Sequence, residues 1–246
     1  MRCDLARAIL SDDDLFVFDE FTSVVDRNVA RIGSFAIQKA IRKSKKRMIA
    51  VTCHFDVADW LMPDWIFDTN DMTFRLCEAQ KKNRPKLNFK LYEIHGVKEK
   101  EKYWRMFGKY HYLSHSFNFA ARVFVGTVDD VVCAFTSVLP FPHPVLKNAR
   151  KEHRTVVLPD FQGIGLGSCI TDMVGDIMKK EGMKFITTLS NPALIFARAK
   201  SRKWIMTRKP GRTSSGNGVM QNKHKKGSTS CARITVSFEY IGDIIK

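Results

Sequence analysis

The sequence predicts an α/β protein in two parts, on three observations. All of the basic excess falls in one part of the chain. An apolar run, Leu15–Phe18, ends on two carboxylates and is followed by a helical stretch and a second apolar run. Further on, a strand, a Gly-rich turn and an amphipathic helix follow one another directly. The 246 residues suffice for one large domain or two small ones. A hydrophobic content of 44% is enough for a packed core and excludes wholesale disorder.

The charge divides the chain. Residues 1–80 hold 11 Lys+Arg against 13 Asp+Glu, and residues 81–246 hold 30 against 12, a surplus of +18. A field of that size attracts polyanions, so nucleic acid is an expected partner. Residues 81–90 are basic, contain Pro85 and lack apolar periodicity, which reads as a linker entering a strand. The expected parts are therefore 1–80 and 91–246, the second with a long basic loop at 209–230 that holds Gly211, Gly216, Gly218 and Gly227. No apolar run approaches the ~20 residues of a membrane span, and no membrane partner is expected. The first ten residues, with Asp4, Arg2 and Arg7, do not read as a secretory leader. The six cysteines form no CxxC pair, so the expectation is a reduced, cytoplasmic protein without a metal site.

In the first part, Leu15–Phe18 reads as a buried parallel strand, and Asp19 and Glu20 stand at its carboxyl end, where α/β sheets bind ligands. A helix over Asn28–Lys43 and a strand over Met48–Thr52 follow. In order, these residues resemble the C-terminal half of an ABC-type ATPase. Asp19 matches the Walker B aspartate, Glu20 the catalytic glutamate, Ser23 and Asp26 the D-loop, and His54 the switch histidine. Leu5–Ile9 matches the helix after the signature motif. The sequence contains no G-x-x-x-x-G-K-[ST], so this part reads as a truncated remnant or as a chain begun at an internal methionine. ATP and Mg²⁺ are expected only if the ATPase half is completed by another chain, and the missing N-terminal half or a homodimer is an expected partner. The missing strands should leave sheet edges exposed.

In the second part, strands are expected at Ala121–Val125, Val131–Leu139 and Arg154–Leu158. The last runs through Pro159-Asp160-Phe161 into Gln162-Gly163-Ile164-Gly165-Leu166-Gly167-Ser168. A helix follows with Ile170, Met173, Val174, Ile177 and Met178 on one face. Glycines let a backbone approach a ligand, and a helix N-terminus favours a pyrophosphate. Gly163, Gly165 and Gly167 give G-x-G-x-G, which fails the spacing of the dinucleotide fingerprint. The pattern Q-x-x-G-x-G within V-L-P-x-x-Q-G-x-G-L-G instead resembles the acetyl-CoA motif of the GNAT acetyltransferases, over about residues 87–208. The resemblance implies a mixed, mainly antiparallel sheet flanked by helices, and acetyl-CoA or another acyl-CoA as cofactor. It places the pyrophosphate on the amides of Ile164 to Ser168, and the pantetheine arm along Val156, Val157 and Leu158. Phe185–Leu189 corresponds to the next strand, and Asn191 to the closing N-x-x-A region.

The helix after Asn191 lacks the tyrosine that many of these enzymes use as an acid. Titratable groups cluster instead at Lys109–Ser116, giving His111, Tyr112 and His115 as catalytic candidates, with His153 as a further base. A similar H-Y-S-rich element occurs in Mom-like nucleic-acid-modifying relatives of the GNAT fold, an analogy only. Fusion to an ABC-type ATPase suggests, also by analogy, an energy-gated modification enzyme of phages or mobile elements. Basic residues lie at Lys147, Arg150, Lys151 and Arg154. A second set, Arg198, Lys200, Arg202, Lys203, Arg208, Lys209, Lys223, Lys225 and Lys226, could track a phosphate backbone with Trp204 stacking on a base. The expected activity is acyl transfer from acetyl-CoA to an amine, with nucleic acid as one carrier of that amine. Alternatives are acetylation of a protein or small amine, a non-catalytic nucleic-acid-binding module, or ATP binding on a completed ATPase. Arg233–Tyr240 alternates and reads as a final strand.

Overall fold

A computed structural model describes residues 1–77, 87–111, 115–212 and 234–243. Tyr112, Lys223, Lys225, Lys226 and most of the expected linker and basic loop lie outside the described residues. The chain divides into two compact units, Met1–Leu87 with Pro159–Ile164, and Asn88–Leu158 with Gly165–Lys246.

The first unit opens with α1 (Arg2–Leu10), β1 (Leu15–Phe18), α2 (Arg27–Ile41) and β2 (Arg47–Ala50). β1 and β2 pair in parallel from Leu15↔Arg47 to Phe18↔Ala50, with α2 as the crossover. Helix α2 starts where it does because the Asp26 carboxylate accepts from the Asn28 amide at 2.8 Å, an N-cap bond. It turns Ala30, Gly33, Ser34 and Ile37 inward at three-to-four spacing. Leu5, Phe21, Ile37 and Val57 form the core. Helix α3 (Asp56–Leu61) and an antiparallel hairpin of β3 (Trp65–Asp68) and β4 (Thr73–Leu76) follow. The parallel sheet has two strands among the described residues, and Leu15 and Val17 on β1 remain 45% and 62% exposed. Parallel strands are ordinarily covered on both faces.

The second unit holds β5 (Phe89–Ile94), α4 (Val97–Gly108), β6 (Arg122–Val128), β7 (Val131–Pro140), β8 (Ala149–Val157), α5 (Leu166–Lys180), β9 (Lys184–Leu189), α6 (Pro192–Lys200), β10 (Trp204–Arg212) and β11 (Ile234–Tyr240). The strands form one seven-stranded sheet in the order β10-β11-β9-β8-β7-β6-β5. Every neighbouring pair is antiparallel except β8 and β9. The expected mixed, mainly antiparallel sheet flanked by helices is thus present. Alternation sorts the side chains. Val123, Val125, Phe135 and Val156 pack with Trp104 and Phe107 of α4, whereas Phe124, Val138, Phe185 and Phe238 pack with Val174 and Met178 of α5. The β6–β7 turn is two residues, Asp129 and Asp130, both at positive φ, the geometry that matches strand twist in a hairpin.

Three boundaries differ from the sequence reading. Phe89 and Lys90 are not linker but begin β5, because Phe89 pairs with Val128. Lys209 does not open a loop: β10 continues to Arg212, held by Arg212↔Ile234. β8 starts at Ala149, since Arg150 and Lys151 pair with both Pro140 and Leu139 on β7 and Phe185 and Ile186 on β9.

Candidate active site

The sheet has one seam. β8 and β9 pair only at Ala149↔Lys184, Arg150↔Phe185 and Lys151↔Ile186, although β8 continues to Val157 and β9 to Leu189. A β-bulge lies at the same level. Ser137 opposes Arg154 and Val138 opposes Glu152, so His153 has no residue opposite it on β7. A bulge bends its strand and raises the local twist, here just where the two parallel strands part.

β8 runs on into a tight turn. A single 3₁₀ turn, Pro159–Phe161, is followed by the Gln162 amide donating to the Pro159 carbonyl at 3.2 Å. Gly163 and Gly165 sit at φ 94° and 102°, backbone that other residues rarely adopt, which is why glycine stands there. Gly165 is the N-cap of α5 and supplies no side chain. Its carbonyl takes the amides of Ser168 and Cys169, at 3.2 and 3.1 Å. The first turn carries no acid and the last carries Lys179 and Lys180, so helix dipole and charges together favour an anion at the N-terminus. The Leu166 side chain is buried and anchors the turn to the core. Asn191 has a structural task, because its side chain accepts from the Leu194 amide at 3.2 Å and caps α6.

Just past the last paired residues lies a buried ionic network. The Arg198 guanidinium, 1% exposed, comes from α6. It donates to Thr187 Oγ1 on β9 at 2.6 Å, pairs with Glu152 on β8 at 3.0 Å, and lies 4.2 Å from the centre of the Trp204 ring on β10. Thr155 donates to Glu152 at 2.5 Å and shares a 2.7 Å bond with Thr136. Burial alone would raise the Glu152 pKa. Arg198 and the bonds from Thr155 and Thr187 outweigh it and hold the carboxyl below its usual range.

On the opposite face the histidines meet an aromatic cluster. Trp104 stacks on Phe117 at 4.9 Å, and its Nε1 donates to the His115 carbonyl at 2.7 Å. His111, buried, lies 6.0 Å from Trp104, and His153 lies 5.6 Å from Phe117. Burial, then Arg154 and His111, push the His153 imidazole down to about 4, so it is neutral at pH 7, and its Nε2 is buried without a hydrogen-bond partner among the described residues. His111 and His153 are therefore brought together, whereas His115 is exposed and serves through its carbonyl.

The expected nucleic-acid surface needs correction. Arg198 and Trp204 are buried, and Trp204 Nε1 donates to Asp172 at 2.7 Å, so neither can meet a phosphate or a base. Lys203 pairs with Asp243 at 3.1 Å. Lys200, Arg202, Arg208 and Lys209 are exposed. In the first unit, Asp19 accepts from the Glu20 amide at 2.8 Å, and Ser23 Oγ donates to the Glu20 carbonyl at 2.8 Å. Glu20 and Thr22 hold φ of 49° and 72°. Asp26 is spent as the α2 cap, and the His54 amide donates to Thr52 Oγ1 at 3.2 Å. Glu152, Thr187, Trp104 and Phe117 escaped sequence reasoning. Arg198 had a signal: with Leu194 and Ile195 it lies on one helical face, so an inward position was readable.

No family model matches the sequence, and no curated protein matches it. Solved structures similar to it include three acetyltransferases. The ribosomal-protein-S18-alanine N-acetyltransferase of Escherichia coli is 13% identical, with a TM-score of 0.43 over 64% of this chain and 97% of that one. A Bacillus subtilis acetyltransferase in complex with CoA is 12% identical, at 0.43 over 65% and 100%. A ribosomal-protein-alanine N-acetyltransferase from Brucella melitensis is 10% identical, at 0.44 over 61% and 99%.

Proposed function

We propose that the second unit is an acyl-CoA-dependent N-acyltransferase of the GNAT kind, taking the acyl group from acetyl-CoA to an amine. The observation that carries the reading is the parting of β8 from β9 at the strand that leads into the Gln162–Ser168 turn. A parallel pair that opens after three residues leaves a cleft with main-chain groups along one wall, which suits the amides of a pantetheine arm. Positive-φ glycines and an acid-free helix N-terminus suit the pyrophosphate at its far end. The cofactor supplies an activated thioester carbonyl. Val156, Val157 and Leu158 would align the arm, and the amides of Ile164 to Ser168 would hold the phosphates. His153 lies close to the seam with His111 beside it and is the candidate on β8 to accept the amine's proton, although its depressed pKa makes it a weak base unless the bound ligand raises it. Exposed Lys200, Arg202, Arg208 and Lys209, with the +18 surplus, favour a nucleic acid as carrier of the amine.

The test is transfer of label from acetyl-labelled acetyl-CoA to duplex DNA, single strands, tRNA and a peptide pool in parallel. Gly165→Glu, which places a carboxylate in the turn, is the control. Label on one polymer that disappears in the control is expected. Label on the peptides alone would overturn the nucleic-acid acceptor. Failure to bind acetyl-CoA would overturn the enzyme reading and favour a non-catalytic binding module.

A second reading concerns the first unit. Its parallel β1–α2–β2 crossover, with Asp19 and Glu20 at the end of β1 and a strained turn through Thr22, favours half of an ABC-type ATPase. Without a phosphate loop in the sequence, this chain alone should not hydrolyse ATP. ATP turnover by the purified chain would sink that reading.

A further inference from the structure

We infer that Arg198 is a positioning residue that fixes how far β8 and β9 stand apart. This rests on the acyl-CoA reading of the cleft. In parallel register, the pair after Lys151↔Ile186 would be Glu152 and Thr187. Their main chains do not pair. Their side chains instead meet the same guanidinium, which enters from α6 and is almost wholly buried. The bulge at His153 turns β8 away, and the Arg198 guanidinium, hydrogen-bonded to Thr187 on one wall and ion-paired with Glu152 on the other, sets the width of the gap together with the bond those two side chains make to each other. The Trp204 ring beneath the guanidinium and the Thr155–Thr136 bonds behind Glu152 hold each end in place. Arg198 acts at the mouth of the cleft, where the strands begin to diverge, and not at the Gly-rich turn. Its effect should therefore fall on the pantetheine end of the ligand and spare the nucleotide end.

The experiment uses the full chain and two probes: acetyl-CoA, and adenosine 3′,5′-bisphosphate, which carries the nucleotide end without the arm. Affinities are measured by calorimetry for the wild type, for Arg198→Met, and for the double variant Glu152→Gln/Arg198→Met. The double variant removes both buried charges and guards against simple misfolding of the single one. The expected result is a loss of at least about tenfold in acetyl-CoA affinity with the bisphosphate changed by less than about twofold. Unchanged acetyl-CoA affinity in the folded double variant would overturn the inference while leaving the acyl-CoA reading intact. Equal weakening of both probes would also overturn it, since that is what general loosening of the fold produces. A wild type that binds neither probe would overturn the acyl-CoA reading, and this inference with it.

Discussion

Glu152 and His153 are neighbours in sequence and opposites in environment. The first is a carboxylate kept ionised by Arg198, the second an imidazole kept neutral by burial. Both pKa values are lower in the folded chain, so both groups take up protons more readily on unfolding, and acid should destabilise the protein through each. The windows differ. His153 loses its contribution as pH falls from 6.5 to about 4, whereas Glu152 loses its own only below the ordinary carboxylate value of 4.5. Melting temperatures followed from pH 7 to pH 4 should decline, and His153→Gln should flatten the upper part of that decline. An unchanged profile in the variant would show that His153 titrates normally. The pair itself allows a second test. Arg198→Met leaves Glu152 buried without its counter-charge, and should cost ~3–5 kcal/mol in urea unfolding, whereas Glu152→Gln/Arg198→Met should lie within about 1 kcal/mol of wild type. At this scale the sequence misled in one direction. A helix reading PALIFARAK invites the view that its cations are surface charge. Only the shared face of Leu194, Ile195 and Arg198 hints that one of them points inward.

Among elements, α5 carries a tight packing constraint. A Cβ at Gly175 would lie 2.6 Å from two carbons of the Tyr240 ring. That ring cannot readily yield, because its hydroxyl donates to Asp176 at 2.7 Å and it meets Trp204 edge-on at 4.9 Å. Gly175→Ala gains ~1 kcal/mol of helix propensity but overpacks at a cost of ~1–3 kcal/mol. The net expectation is a loss of about 1 kcal/mol, read as a lower urea midpoint at unchanged slope. A stabilised variant would mean that α5 can shift away from β11. The strand, turn and helix around Gly165 were legible in the sequence because apolar alternation, glycine and three-to-four spacing are local signals. The seam was not, because where two parallel strands cease to pair depends on residues that are distant along the chain, Glu152, Thr187 and Arg198 among them. The hairpin β3–β4 and helix α4 were missed because their apolar residues, such as Trp65 and Phe67, alternate over only four positions or sit among lysines.

For the molecule as a whole, charge is the dominant property, with a surplus of +18 in residues 81–246. If the acceptor is the nucleic acid proposed above, binding should weaken steeply with salt, with log K falling by ~0.9 per neutralised duplex phosphate for each unit of log salt. Replacing Lys200, Arg202, Arg208 and Lys209 by glutamine should reduce that slope by up to about 4, whereas Lys147→Gln, outside the set, should change it by about 1 at most. A slope indifferent to all four would place the contact elsewhere. The basic surplus was readable from composition, whereas the placing of Pro159–Ile164 with the first unit was not. That Arg198 and Trp204 are not part of the surface was not, because composition counts residues without knowing which are enclosed.

The order of strands in the sheet also bears on how the second unit comes into being. β11 follows β10 in the chain yet lies between β10 and β9. As the polypeptide emerges from the ribosome, the outer edge of β9 must wait for residues that come some 47 positions later, from Leu189 to Val236. At ~5–20 residues per second that is a wait of several seconds with an unpaired strand edge on display. The outer edge of β9 is thus covered only once β11 has been made, and a ribosome stalled before Ile234 would hold a sheet with an edge open to aggregation.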